Sequence, residues 1–446
     1  MSSFTVAYVP IGVPTFHLES AEQQFKLSIQ VLKDIMPQVT VPDKMLLSMG
    51  DLQEYLNDIQ PTAIILQNIT FANAAYASEI LHRFRCPLML WTLREPVIDG
   101  GRLRLNSLTG AYSAANAMHG FGIKNFEYLF GSPEENEVKE NLSAFIAAAK
   151  VQYDMAHLKM AAIGHTPQGF GFGRALDTEL LSTFGVRLEA IEARELIDKA
   201  KGYSPEECEP YLAQTATCTK GLNSIPAQNQ VDHARLCKAY FDYIQDNKIG
   251  AVASRCWPDF FTAFGTPVCT VLSMLNDSHV AAACEADVYG ALSMYIGMQL
   301  TGKPTFFGDP VSLDEAESTV TYWHCGAAAP SLAQGTTGAL VGVHPNRKIG
   351  PVMDFGCAPS KAVTVFRIGR KPDGGFRFFV AQGEALDKPK QFTGTSIVVR
   401  TNTPAKELIS KSVCDGWEPH FVVVYGDMAK ELTILCRMLG AELCRY

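Results

Sequence analysis

Along the first third of the chain, short apolar runs alternate with longer segments whose apolar residues recur every three to four positions. The runs "FTVAYVPIG", "TAIILQN" and "CPLMLWTL" predict buried strands, and "SAEQQFKLSIQVLKDI", "NAAYASEILHRF" and "SLTGAYSAANAMHGFG" predict helices between them. Apolar strands in alternation with helices predict a parallel sheet covered on its faces. A long helix from about Pro133 to His157 then leads into a second series, with "LKMAAIG", "IGAVASRC", "HVAAACEA" and "KPTFFGDP" as its strands. After about Asp314 the texture changes to short alternating strands, with a "PDGG" turn inside "AVTVFRIGRKPDGGFRFFVAQGEAL". The last stretch, "HFVVVYGDMAKELTILCRMLGAELCRY", predicts a strand followed by a helix. The fold class expected is α/β: two parallel-sheet, Rossmann-like domains over 1–155 and 156–313, and a C-terminal antiparallel β-rich domain over 314–446.

Composition narrows the partners more than the fold. The chain has 446 residues, 47% hydrophobic and 19% charged, with a net charge of −8. It lacks a Lys/Arg block interleaved with aromatics, which argues against nucleic acid or an anionic membrane and for a small-molecule ligand. The amino-terminal "MSSFTVAYVPIGVPTF" has no basic segment before a long apolar one, so a cytoplasmic protein is expected. The 12 cysteines are scattered singly and read as reduced, mostly buried thiols. A cysteine nucleophile at Cys256 or Cys325 would lack the sharp strand-to-helix turn such chemistry uses.

Candidate chemistry gathers between Ala281 and Pro310, "AAACEADVYGALSMYIGMQLTGKPTFFGDP". Glu285 and Asp309 each follow an apolar run, and the segment between them reads as an apolar helix ended by Gly302 and Pro304. Two parallel strands joined by one crossover would bring both acids to the carboxyl edge, where open α/β sheets bind ligands. Two carboxylates in one crevice repel and need a proton, a basic side chain or a divalent cation between them. Histidine is the natural completion of a cation site, and His324 in "YWHCGAAAP" and His420 in "GWEPHFVVVYGD" are the candidates. Carboxylate oxygens with one or two imidazoles suit Mn²⁺ or another divalent cation.

The segments "GHTPQGF", "SRCWPDF", "GTPVCTVLSMLND", "AAACEADVYGALSM", "PTFFGDP" and "PHFVVVYGD" resemble those of the L-fucose isomerase and L-arabinose isomerase superfamily, and most of all its shorter L-fucose isomerase-like branch. The resemblance covers nearly the whole chain, including "LREPVIDGGRLRLNSLTG". It implies two α/β domains, a C-terminal β-rich domain, and a Mn²⁺-dependent aldose–ketose isomerase. It implies that Glu285 and Asp309 are acidic metal ligands and acid/base groups, and that His420 is the late histidine ligand. His324 resembles a further ligand of the arabinose isomerase side. The resemblance also implies a homotrimer or homohexamer in which the first domain completes a neighbouring subunit's active site.

Such a reaction takes a proton from one sugar carbon and returns it to the next through an ene-diol, for which flanking carboxylates are suited as base and acid. His165 and Gln168 in "GHTPQGF", and Trp91, Arg94, Glu95 and Asn106 in the first domain, are the candidate substrate contacts. An alternative within the class is an isomerase of an anionic sugar such as sulfoquinovose, giving 6-deoxy-6-sulfofructose, for which Arg102 and Arg104 offer a cationic clamp. An alternative outside it is a non-catalytic sugar-binding protein.

Overall fold

A computed structural model describes residues 3–446, which divide into two compact units: residues 3–153 with Thr433–Gly440, and residues 154–432 with Ala441–Tyr446. In the first unit, β1 (Val6–Ile11), β2 (Ala63–Asn68), β3 (Leu88–Thr92) and β4 (Glu127–Phe130) form a parallel sheet in that order. The first three are the expected apolar runs. Strand β4 escaped because its burial alternates, with Tyr128 and Phe130 outward. The core lies between the sheet and its helices, where Val9, Ile11, Leu66, Leu90 and Ile80 are fully enclosed. Each such side chain contributes about 1.5–3 kcal/mol relative to exposure.

The second unit holds two sheets. Strands β5 (Lys159–Ile163), β6 (Arg187–Ile191), β7 (Ala251–Ser254) and β8 (Ala281–Ala283) pair in parallel in the order β6-β5-β7-β8. Three of these four strands match expected runs. The second sheet comprises β9 (Phe306–Asp314), β10 (Thr319–His324), β13 (Ser360–Arg370), β14 (Phe376–Ala385), β15 (Thr395–Thr401), β16 (Phe421–Val424) and β17 (Glu442–Arg445), while β11 (Val341–Gly342) and β12 (Val352–Met353) form a small ribbon. The order β13-β16-β9-β10-β15-β14 returns to β13, so six antiparallel strands close on themselves, and β17 joins β14 in parallel. The "PDGG" segment is the β13–β14 hairpin turn, with Gly374 at φ 89°.

One expectation is corrected here. The run "PTFFGDP" is not a strand of the parallel sheet: β9 is antiparallel to both β10 and β16 and belongs to the barrel. A division at 313 therefore cuts through a barrel strand. An apolar run of this length suits either sheet, because the interior of a closed barrel and the middle of a covered parallel sheet demand the same residues. No helix among the described residues is long and apolar enough to cross a membrane.

Candidate metal and active site

Three barrel strands bring three of the candidates to neighbouring positions. Asp309 pairs with Trp323, next to His324 at the end of β10, and Gly308 pairs with Phe421, next to His420. Glu285 arrives from the parallel sheet, two residues beyond β8. There the chain turns sharply: Glu285 and Ala286 adopt left-handed φ of 59° and 55°, and His420 does so at 71°. Left-handed backbone costs a residue with a Cβ roughly 1–2 kcal/mol, and it persists where the surrounding structure fixes it. Three such residues meet here.

The resulting contacts are close. His420 Nε2 lies 2.7 Å from Glu285 Oε2 and 3.6 Å from Asp309 Oδ1, and His324 Nε2 lies 3.9 Å from Glu285 Oε2. Both histidines are buried, whereas the side chain of Glu285 is 14% exposed and that of Asp309 31% exposed. Access to the cluster is thus through its carboxylates. The ring of Phe307 covers both imidazoles, at 4.7 Å from His420 and 5.5 Å from His324.

Behind His420 stands a buried network that the sequence did not announce. Its Nδ1 is 3.0 Å from Asp287 Oδ2, and Asp287 is held in turn by Arg367, whose two guanidinium nitrogens donate at 2.7 and 3.3 Å. Arg367 also donates to the His420 carbonyl at 2.9 Å. Asp287 doubles as the N-cap of the helix Val288–Thr301, accepting from the Gly290 N–H at 2.8 Å. Glycine is required at 290, because a Cβ there would lie 2.6 Å from the Phe307 ring and 2.8 Å from Asp287 Oδ2. A histidine whose Nδ1–H is fixed by a carboxylate presents Nε2 as a lone-pair donor, the usual arrangement behind a metal-binding imidazole.

Charge follows the same geometry. Burial alone would raise the pKa of Glu285, but its interactions with His324 and His420 outweigh burial and hold the carboxyl well below its usual range. Burial would likewise raise Asp287, and Arg367 with His420 holds it low. For His420 burial pulls the pKa down, yet Asp287 and Glu285 carry it up to about 10. The cluster thus pairs ionised carboxylates with positive charge.

The donor set fits a divalent cation. Glu285, His324 and His420 each offer one ligand atom, all within 4.8 Å of one another, and His324 Nδ1 is buried without a hydrogen bond. The His324 nitrogen that faces Glu285 is Nε2, 3.9 Å away and beyond hydrogen-bond distance, so it is placed to serve a cation. His324 stands inside this three-residue group, and Asp309 lies beside it.

The other sequence candidates fall elsewhere. His165 is largely exposed, 3.6 Å from Glu192, on the wall of a cavity of about 370 Å³, and Gln168 is exposed on the same loop. That loop does meet the cluster, but through Phe170 and Phe172, whose rings lie 6.1 and 5.6 Å from His420. Its two phenylalanines face the buried histidine, while His165 and Gln168 face water. In the first unit Trp91 is fully buried, and its indole N–H is taken by the Gly131 carbonyl. Arg94 pairs with both oxygens of Glu135, and the carboxylate of Glu95 receives the backbone N–H groups of Arg104, Leu105 and Asn106. Asn106 itself is left-handed, with φ 53°. The cysteine alternative weakens further, because burial pushes the Cys325 thiol up, away from a nucleophilic thiolate.

Comparison with known proteins places the chain in a family. Residues 354–446 match the family described as L-fucose isomerase, C-terminal domain. A sulfoquinovose isomerase from Clostridium sp. (strain MSTE9) is 62% identical over 442 residues, 99% of either chain. Sulfoquinovose isomerases from Priestia aryabhattai and Alkalicoccus urumqiensis are 38% and 35% identical, over 100% and 98% of either chain. The protein is an aldose–ketose isomerase, an enzyme class whose proton-transfer chemistry suits a carboxylate–imidazole cluster of this kind. The chain belongs to the L-fucose isomerase-like family.

Proposed function

We propose that this enzyme interconverts sulfoquinovose and 6-deoxy-6-sulfofructose, with Mn²⁺ held by Glu285, His324 and His420 and with Asp309 as a further ligand. The observation that carries the substrate is the 62% identity, over 99% of both chains, to a protein that bears that activity in its name. The observation that supports the cation is the three-residue donor group. A divalent cation held by these residues would supply positive charge to stabilise the ene-diol. Glu285 and Asp309 flank the ene-diol carbons and move the proton, one withdrawing it and the other returning it. Asp287 and Arg367 fix the ring of His420 while this happens. We further place the protein in the cytoplasm as a homotrimer or homohexamer, with the first domain completing a neighbour's pocket. In this reading Arg94, Glu95 and Asn106 belong to that shared rim, and His165 and Gln168 contact sugar hydroxyls.

The test is direct. Mn²⁺-loaded protein incubated with sulfoquinovose should form the ketose, should do so with a higher kcat/KM than with neutral aldoses, and should stop after chelation. A higher kcat/KM on a neutral aldose would overturn the substrate assignment. Undiminished activity after exhaustive chelation would overturn the metal.

A further inference from the structure

An anionic sugar placed against Glu285 and Asp309 needs a cation at its far end. Among the arginines near the cluster, most already have acceptors. Arg367 holds Asp287, Arg255 pairs with Asp259 at 2.9 Å, and Arg174 donates to Thr166 at 2.7 Å. In the first unit Arg102 is engaged by the Thr15 carbonyl and Arg104 by Asp99. Arg347 differs. Its half-buried guanidinium lies 5.1 Å from the ring centroids of both Trp257 and Phe261, and among the described residues no side chain or carbonyl accepts a hydrogen bond from it.

Its position relative to the chemistry is set by Trp257. The indole N–H of Trp257 reaches Glu285 Oε1 at 3.4 Å, while the indole ring is what Arg347 stacks on. One indole therefore spans the space between the carboxylate and the guanidinium. The loop that carries Arg347, between β11 and β12, is pinned at its base. Asn346 and Arg347 donate their N–H groups to His344 Nδ1 at 3.2 and 3.4 Å, and the His344 ring stands edge-on to Phe261 at 5.1 Å. A guanidinium stacked on aromatic faces keeps its in-plane N–H fork free, and that fork matches a tetrahedral oxyanion as it matches carboxylate and phosphate.

We propose that Arg347 is the residue that recognises the sulfonate of the substrate, held ready on Trp257 and Phe261 beside Glu285. This assignment rests on the sulfoquinovose reading above and specifies its anion site.

The experiment compares wild type, Arg347→Gln and Arg347→Lys on sulfoquinovose and on its neutral counterpart bearing hydrogen in place of the sulfonate, with Mn²⁺ affinity measured by calorimetry on the same samples. Arg347→Gln should raise KM for sulfoquinovose by roughly 10²-fold, the scale of losing a charge-assisted bidentate contact. It should leave kcat/KM on the neutral sugar and the affinity for Mn²⁺ within a few-fold of wild type, which excludes misfolding as the cause. Arg347→Lys, keeping the charge without the fork, should fall between. An unchanged ratio of the two sugars' kcat/KM in Arg347→Gln, with wild type still preferring the sulfonated one, would overturn this assignment alone. A wild type without that preference would overturn both the assignment and the substrate reading.

Discussion

Two buried histidines of the second unit show what separates a functional imidazole from a structural one. His233, in the helix Ala227–Asn247, is fully enclosed and meets the Thr215 hydroxyl at 3.0 Å and the Cys237 sulfur at 3.6 Å. Burial pulls its pKa down to about 4. His420 is as deeply buried, yet the carboxylates of Asp287 and Glu285 carry it up to about 10. Depth is common to both. The difference lies in neighbours brought from far along the chain, Asp287 being 133 residues away. A histidine that faces carboxylates on both ring nitrogens is held charged, whereas one that faces a hydroxyl and a thiol is held neutral.

The largest effect expected from breaking this contrast is on turnover. On the proposed function, Glu285→Gln or Asp309→Asn takes away a proton-transfer group, and kcat should fall by roughly 10²–10⁴. The measurement is steady-state kinetics at saturating Mn²⁺, and a loss under tenfold would remove that residue from the chemistry.

Next comes the support behind His420. Asp287→Asn leaves Arg367 charged, buried and without its anion, a change that costs about 3–5 kcal/mol in stability. It also frees the His420 ring, so affinity for Mn²⁺ should drop about 10–100-fold. Denaturant unfolding and calorimetry read the two effects separately.

The smallest effect belongs to His233. Its folded pKa is depressed, so below pH about 6.5 the unfolded chain takes up a proton that the folded chain refuses until about pH 4. Stability should decline across that window, by at most about 3 kcal/mol from this residue. The variant His233→Gln should show a shallower decline than wild type between pH 6.5 and 5, and parallel curves would contradict the assignment.

How much of this was legible beforehand follows from the physics of each element. The strands β1, β2, β3, β5, β7 and β8 announced themselves because covered parallel strands are continuous apolar runs. Glu285, Asp309, His324 and His420 were visible as polar residues at the ends of such runs. The site of β9 was not, since its apolar run suits barrel and parallel sheet alike. Asp287 was hidden as the second acid of "ACEAD", where it reads as an ordinary helix cap. Arg367 carries one sign in the sequence: a lone charge in the middle of "AVTVFRIG", at a position where an apolar strand has no room for one without a partner. Trp257 and Arg347 carried no local pattern, because their meaning comes from stacking across 90 residues of chain.

In the proposed function His420, and not burial of an imidazole in general, completes a cation site with Glu285 and His324. Titrating Mn²⁺ into metal-free wild type, His420→Ala and His233→Gln by calorimetry tests it directly. One site per chain is expected in wild type and in His233→Gln with equal affinity, and binding at least tenfold weaker is expected in His420→Ala. Equal affinity in all three proteins would contradict it.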